Sequence, residues 1–159
     1  MRELHTFAPV YDENSRVLIL GTMPSVKSRE VGFYYGHPQN RFWRVLTGVF
    51  GEDVPDDIEG RKAFLLSHRV ALWDVVASCE ITGSSDASIK AVAANDIRRI
   101  LDGSAVSRIY ANGRTAEKLY LRHVRPLTGV DIIPLPSTSP ANAAVSLEAL
   151  VRVWRAVRP

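Results

Sequence analysis

The chain has 159 residues, 46% hydrophobic and 23% charged, with nine prolines spread along it, which fits one globular domain over residues 1–159 and excludes a disordered or collagen-like chain. The net charge of +3 is unevenly placed, because residues 1–97 carry ten basic and thirteen acidic side chains whereas residues 98–159 carry ten and four. No apolar run approaches the roughly 18 residues of a membrane helix, no basic-then-apolar leader occupies Met1 to Tyr11, and the single cysteine, Cys79, excludes an internal disulfide and a cysteine-held zinc or iron-sulfur site.

In chain order, Val17 to Gly21 (VLILG) is a short apolar run ending in a glycine, the pattern of a buried strand entering a loop. The loop from Thr22 to Gln39 is long, and loops of that length in compact domains are functional or disordered; its aromatic content argues for the former. Phe42, Val45, Leu46 and Val49 then follow helical spacing over Arg41 to Phe50, with Asn40 suited to the cap. An acidic stretch from Glu52 to Glu59 reads as a solvated surface leading into a helix near Glu59 to His68. Val70 to Val76 (VALWDVV) reads as a second buried strand with Asp74 its one charge. A short helix ends near Gly103, Val106 to Ala111 gives a third strand, a helix runs through Leu119 to His123, and Ile132 to Leu135 gives the fourth strand. Leu147, Leu150, Val151, Trp154 and Val157 recur at helical spacing, so the C-terminal segment is an amphipathic helix.

Short apolar strands alternating with helices imply right-handed crossovers, hence an α/β protein: a three-layer α/β/α sandwich around a mainly parallel four-stranded sheet. Ligands bind such sheets at the strands' C-terminal ends. The segments leaving those ends are Gly21 to Gln39, Asp74 to Ser78, Asn112 to Thr115 and Pro136 to Asn142.

Neither Gly-x-Gly-x-x-Gly nor a Walker pattern follows the first strand, which disfavours a nucleotide cofactor. Three consecutive aromatics, Phe33, Tyr34 and Tyr35, stand between glycines. They fit neither a helical stripe nor an alternating strand, so at least one ring is expected to face a pocket; aromatic faces in a basic setting suit unstacked bases. Sixteen of the twenty basic residues are Arg, whose planar fork suits phosphate. His5, His37, His68 and His123 show no ligand spacing, so no metal is expected. On pattern alone Asn40 is a helix cap, His37 a loop hydrogen-bond donor, and the segment Ser137 to Asn142 either a phosphate-gripping loop or a helix-entry turn.

Taken together, Gly21-Thr22-Met23-Pro24, then Gly36-His37-Pro38-Gln39-Asn40-Arg41-Phe42-Trp43, then Leu135-Pro136-Ser137-Thr138-Ser139-Pro140, with the strand exit at Leu72-Trp73-Asp74, resemble the uracil-DNA glycosylase superfamily. Within it the chain looks most like the hypoxanthine-DNA glycosylase branch. The resemblance implies a monofunctional enzyme that flips a deaminated base from DNA and cuts its glycosidic bond; no cofactor is expected, and a cytoplasmic monomer is the expectation from a chain with no membrane run or leader. Met23 stands where many relatives place an Asp or Asn that handles the catalytic water, and a thioether cannot do that job; the catalytic role is assigned instead to Asn40. Tyr35 takes the place of the ring that stacks on the flipped base and Asp74 that of the base-reading residue, with Met23 and Phe33 beside them. Ser137 to Asn142 corresponds to the segment that pinches the backbone and fills the vacated stack. Ala141 and Asn142 replace the bulky wedge of several relatives. Ser25, Lys27, His37, Ser137 and Ser139 are the DNA-contact candidates. Two alternatives stay open: a uracil or thymine mismatch glycosylase on the same scaffold, and a noncatalytic single-strand binding module.

Overall fold

The computed structural model describes residues 2–5, 7–80 and 89–159. Its elements run β1 (Arg2–Leu4), β2 (Val17–Gly21), α1 (Val26–Val31), α2 (Phe42–Phe50), α3 (Ile58–Ser67), β3 (Val70–Asp74), β4 (Val76–Glu80), β5 (Lys90–Ala94), α4 (Arg98–Asp102), β6 (Arg108–Asn112), α5 (Arg114–His123), α6 (Arg125–Thr128), β7 (Ile132–Leu135) and α7 (Leu147–Trp154).

The main sheet has the order β3-β2-β6-β7 and every neighbouring pair is parallel. All five residues of β2 and all five of β3 are buried, as expected for strands covered on both faces, which therefore read as unbroken apolar runs. The chain steps from β2 outward to β3, returns past β2 to β6, and continues to β7. Right-handed crossovers in opposite directions place α1–α3 on one face and α4–α6 on the other, and α7 comes back to pack on α2. The three-layer sandwich and its four-stranded parallel sheet agree with the expectation from the sequence.

Two features differ from that expectation. The run Val70 to Val76 is split: β3 ends at Asp74, Val75 donates its N–H to the Gly21 carbonyl at 2.9 Å, and β4 starts a second sheet. This second sheet is antiparallel, in the order β1-β4-β5. The long loop after β2 also contains α1, capped by Ser25, whose Oγ accepts the Ser28 N–H at 3.1 Å.

The apolar face of α2, from Phe42, Trp43, Val45, Leu46 and Val49, is buried and meets α7 through an edge-to-face contact of Phe42 with Trp154, ring centroids 5.8 Å apart. Trp154 is fully buried, and its Nε1–H donates to the Pro136 carbonyl at 2.9 Å. The C-terminal helix thus fixes the start of the loop that follows β7. Trp154→Phe keeps most of the apolar contact but strands that carbonyl, so urea unfolding is expected to show a loss of about 1–3 kcal/mol. An unchanged midpoint would mean that water replaces the indole.

Candidate active site

A cleft of about 430 Å³ opens at the C-terminal ends of the parallel strands, between β2, from which the chain goes outward to β3, and β6, from which it goes the other way to β7, the position at which open α/β sheets bind ligands. The volume is in the range of small-molecule sites. Its floor is set by register, because Gly21 at the end of β2 lies beside Asp74 at the end of β3. Asn112, at the end of β6, lies beside Leu135 of β7.

Gly21 is required there by space. A Cβ on it would stand 2.4 Å from Asp74 Oδ1 and 2.8 Å from the Tyr35 hydroxyl. Both polar tips therefore close over the bare Cα, and they meet at the cleft.

Of the three consecutive aromatics, Tyr34 and Tyr35 line the cleft and Phe33 does not. Phe33 is buried and stacks on Trp43 at 6.0 Å, outside the cleft, so its expected place beside the base is corrected to a core position. Tyr34 is also buried; its hydroxyl donates to the Ala8 carbonyl at 2.8 Å. Burial first, then the charges of Asp74 and Tyr35, push this phenol far above its ordinary range. It stays neutral. Tyr35 takes a left-handed backbone, φ 53°, a conformation disfavoured for a side chain with a Cβ. That turn lays its ring flat on Phe42, centroids 4.0 Å apart and planes 14° off parallel. One face is packed and rigid, and the residue lines the cleft.

Asn40 is both a cap and a cleft residue. Its Oδ1 accepts the Phe42 N–H at the start of α2 at 3.0 Å and the Thr138 hydroxyl at 2.8 Å. Thr138 Oγ1 in turn accepts from Asn112 Nδ2 at 3.0 Å, and Asn112 Oδ1 accepts the Thr138 N–H at 3.0 Å. The same Asn112 Nδ2 donates to the Tyr35 hydroxyl at 3.1 Å. With both acceptor positions of Oδ1 used, the amide group of Asn40 has its Nδ2 hydrogens for the cleft.

Asp74 is buried and its Oδ2 lies 2.8 Å from His5 Nε2. His5 Nδ1 accepts the Phe7 N–H at 3.2 Å, which places the imidazole proton on Nε2 and makes His5 the donor to the carboxylate. Oδ1 is the oxygen beside Gly21. Sequence reasoning missed His5, since 69 residues separate it from Asp74 and no motif joins them.

Around the mouth, the candidates Met23, Ser25, His37, Ser137, Ser139 and Ala141 line the cleft, joined by Ser28, Thr138 and Asn112. His37 Nδ1 accepts the Gln39 N–H at 3.1 Å, leaving its Nε2 as a donor. The hydroxyls of Ser137 and Ser139 accept the N–H groups of Ser139 and Ala141, at 3.1 and 3.2 Å, so each keeps its proton to give. Two expected contacts stand elsewhere. Lys27 lies on α1, half exposed, 3.6 Å from Glu30, and does not line the cleft. Asn142 does not line it either; its Nδ2 ties back to the Ser137 carbonyl at 3.0 Å, while its own carbonyl accepts from Arg41 at 3.0 Å. Among the described residues no group of three or more His, Cys, Asp or Glu side chains could hold a metal, and no helix is long and apolar enough to cross a membrane.

The geometry can be set beside known proteins. The sequence profile of the Uracil DNA glycosylase superfamily matches residues 8–158. A protein of Methanosarcina acetivorans named hypoxanthine DNA glycosylase is 37% identical over 142 residues, covering 88% of this chain and 89% of its own. One of the same name from Methanosarcina barkeri is 41% identical over 85 residues, 53% of this chain and 54% of its own. A solution NMR structure of a candidate uracil DNA glycosylase from Methanosarcina acetivorans superposes with a TM-score of 0.81 at 32% identity, all of each chain being covered. A profile match from Ala8 to Arg158, on a sheet whose strand ends gather the same segments that carry the sequence resemblance, makes the chain a member of the uracil DNA glycosylase superfamily.

Proposed function

We infer that this DNA glycosylase removes hypoxanthine from DNA, with Asn40 as the catalytic residue and Tyr35 and Asp74 holding the flipped base. The observation that carries the reading is the pairing, in one cleft, of an amide that presents donors (Asn40) with a carboxylate that presents acceptors (Asp74), beside the ring of Tyr35. The two relatives named hypoxanthine DNA glycosylase support the choice of base.

A base in duplex DNA must leave the stack before its sugar bond is reached, at a cost of a few kcal/mol that is smallest where pairing is weak. Tyr35 offers the flipped ring a preformed surface, and stacking of this kind is worth about 1–3 kcal/mol per base. Breaking the C1′–N9 bond leaves its electron pair on the purine and an oxocarbenium-like sugar; water then adds to C1′ and releases a proton. Negative charge therefore develops on the base, and preformed donors aimed at it lower the barrier most. Asn40 Nδ2 is such a donor. A water-handling role, which the resemblance attaches to the Asp or Asn that relatives carry at the Met23 position, is less suited to Asn40, since its oxygen is already occupied and its remaining hydrogens suit an anion. The Nε2–H of His37 and the hydroxyls of Ser137 and Ser139 are placed to take DNA phosphates at the mouth, with Ala141 facing the gap left by the flipped base.

A uracil-releasing reading has one specific support, because the Asp74 carboxylate would accept N3–H of uracil as readily as N1–H of hypoxanthine. Incubating duplexes containing deoxyinosine or deoxyuridine with the protein in chelator, then scoring abasic sites after alkali, separates the two. Faster cleavage at deoxyinosine is expected.

Asn40→Ala is expected to lower single-turnover excision by at least about tenfold, the scale of a lost preorganised donor, while DNA affinity changes little. A folded variant that cuts normally would reduce Asn40 to a cap.

Asp74→Asn adds a donor where only acceptors stood, so discrimination between hypoxanthine and a purine with a bare N1 acceptor should fall by roughly 1–3 kcal/mol. Measured in single-stranded DNA, so that pairing does not contribute, an unchanged ratio would show that Asp74 does not read the base.

A further inference from the structure

We propose that Thr138 and Asn112 are positioning residues that fix which end of the Asn40 amide faces the cleft, and that Asn112 ties that amide to the stacking ring of Tyr35. The proposal rests on the assignment of Asn40 as the catalytic residue. It adds two side chains, on β6 and on the loop after β7, that touch no reacting atom.

An unassisted amide beside a cleft can turn over, exchanging its oxygen and nitrogen at little cost. Here the turn is blocked by polarity. The Phe42 N–H needs an acceptor, and so does the Thr138 hydroxyl proton, because Thr138 Oγ1 already accepts from Asn112. A turned Asn40 would set an NH2 group against both donors. The direction of the Thr138 proton is in turn set by Asn112, whose own orientation is fixed by the Thr138 backbone N–H bonded to its Oδ1. The chain of donors thus runs one way, from a backbone N–H through Asn112 and Thr138 to Asn40.

Thr138 is held tightly enough to transmit this. It is fully buried, its N–H goes to Asn112 and its carbonyl accepts the Arg41 N–H at 3.1 Å. Both backbone bonds survive a change of side chain. Asn112 Nδ2 also donates to Tyr35 at 3.1 Å, so one residue at the end of β6 sets both the donor aimed at the base and the ring beneath it.

The test is single-turnover excision from a deoxyinosine duplex over a range of enzyme concentrations, which separates the maximal rate from half-saturation. Thr138→Val keeps shape and backbone bonds but removes the hydroxyl. Its maximal rate should drop by about 10- to 100-fold, the effect of a catalytic group slightly misplaced, with half-saturation unchanged. Thr138→Ser should restore most of the loss. In an Asn40→Ala background, Thr138→Val should cost nothing further, since two changes on one path do not add.

Asn112→Asp is the second arm. It retains an acceptor for the Thr138 N–H but draws the Thr138 hydroxyl proton toward itself, so it too should slow the chemical step, and Thr138→Ser should not rescue it. A folded Thr138→Val that cuts at the wild-type rate, or a loss that is equally large without Asn40, would overturn the positioning role. If Thr138→Val fails to fold, a normal rate in Asn112→Asp overturns it instead. Asn40→Ala cutting normally would remove the catalytic assignment itself, whereas a slow Asn40→Ala beside a normal Thr138→Val would remove the positioning role alone.

Discussion

The cleft depends on the locking together of two loops about a hundred residues apart in sequence. Arg41 donates from its two terminal nitrogens to the carbonyls of Val145 and Asn142, at 2.5 and 3.0 Å, across separations of 104 and 101 residues. Its N–H bonds the Thr138 carbonyl, and Thr138 answers through its hydroxyl to Asn40. A guanidinium satisfying two carbonyls in a planar fork is better suited to this than a lysine, whose single ammonium has no fixed geometry. Helix packing acts in the same direction, since Phe42 and Trp154 bring α2 against α7 and Trp154 holds Pro136. The lock joins the segment that carries Tyr35 and Asn40 to the one that carries Ser137 and Ser139.

What the lock closes upon is a floor made by parallel register. The adjacency of Gly21 and Asp74 follows from β2 pairing with β3, so a glycine at that position is a demand of the site rather than of the turn. Its absent side chain lets Asp74 and Tyr35 approach the same point. The second, antiparallel sheet has its own part in this. By carrying β1 against β4 it delivers His5 to Asp74, and the His5 N–H bonds the Ala77 carbonyl at 2.7 Å.

Much of this was legible in the sequence, and the exceptions have physical causes. The four parallel strands show as apolar runs, with β2 and β3 buried throughout and the edge strand β7 buried only at Ile132 and Leu135; the amphipathic α2 and α7 show by their spacing. The small sheet does not, because β1 has three residues, β5 is the largely exposed KAVAA, and β4 reads as a continuation of β3. Asp74 could be singled out as an odd charge, whereas Tyr35 and the catalytic place of Asn40 come only with the family resemblance. Phe33 could not be told from Tyr35, since only the left-handed turn at Tyr35 decides which ring leaves the core. Thr138 and Asn112 carry no local signal, because their meaning lies in contacts over 98 and 77 residues.

The polarity of the two walls follows from the same long-range bonds. Asp74 and Asn40 have similar shapes and opposite tasks, and neither task is fixed by the residue alone. An isolated carboxylate can present either oxygen, and an isolated amide can turn. His5, with its proton directed to Nε2 by the Phe7 N–H, gives its hydrogen bond to Oδ2 and leaves Oδ1 beside Gly21. Thr138 and Phe42 occupy the amide oxygen and so expose the donor form. Tyr34, kept neutral by burial, adds no competing charge near Asp74. The site therefore offers acceptors on one wall and donors on the other before any base arrives, and the cost of arranging them is met in folding rather than in the reaction.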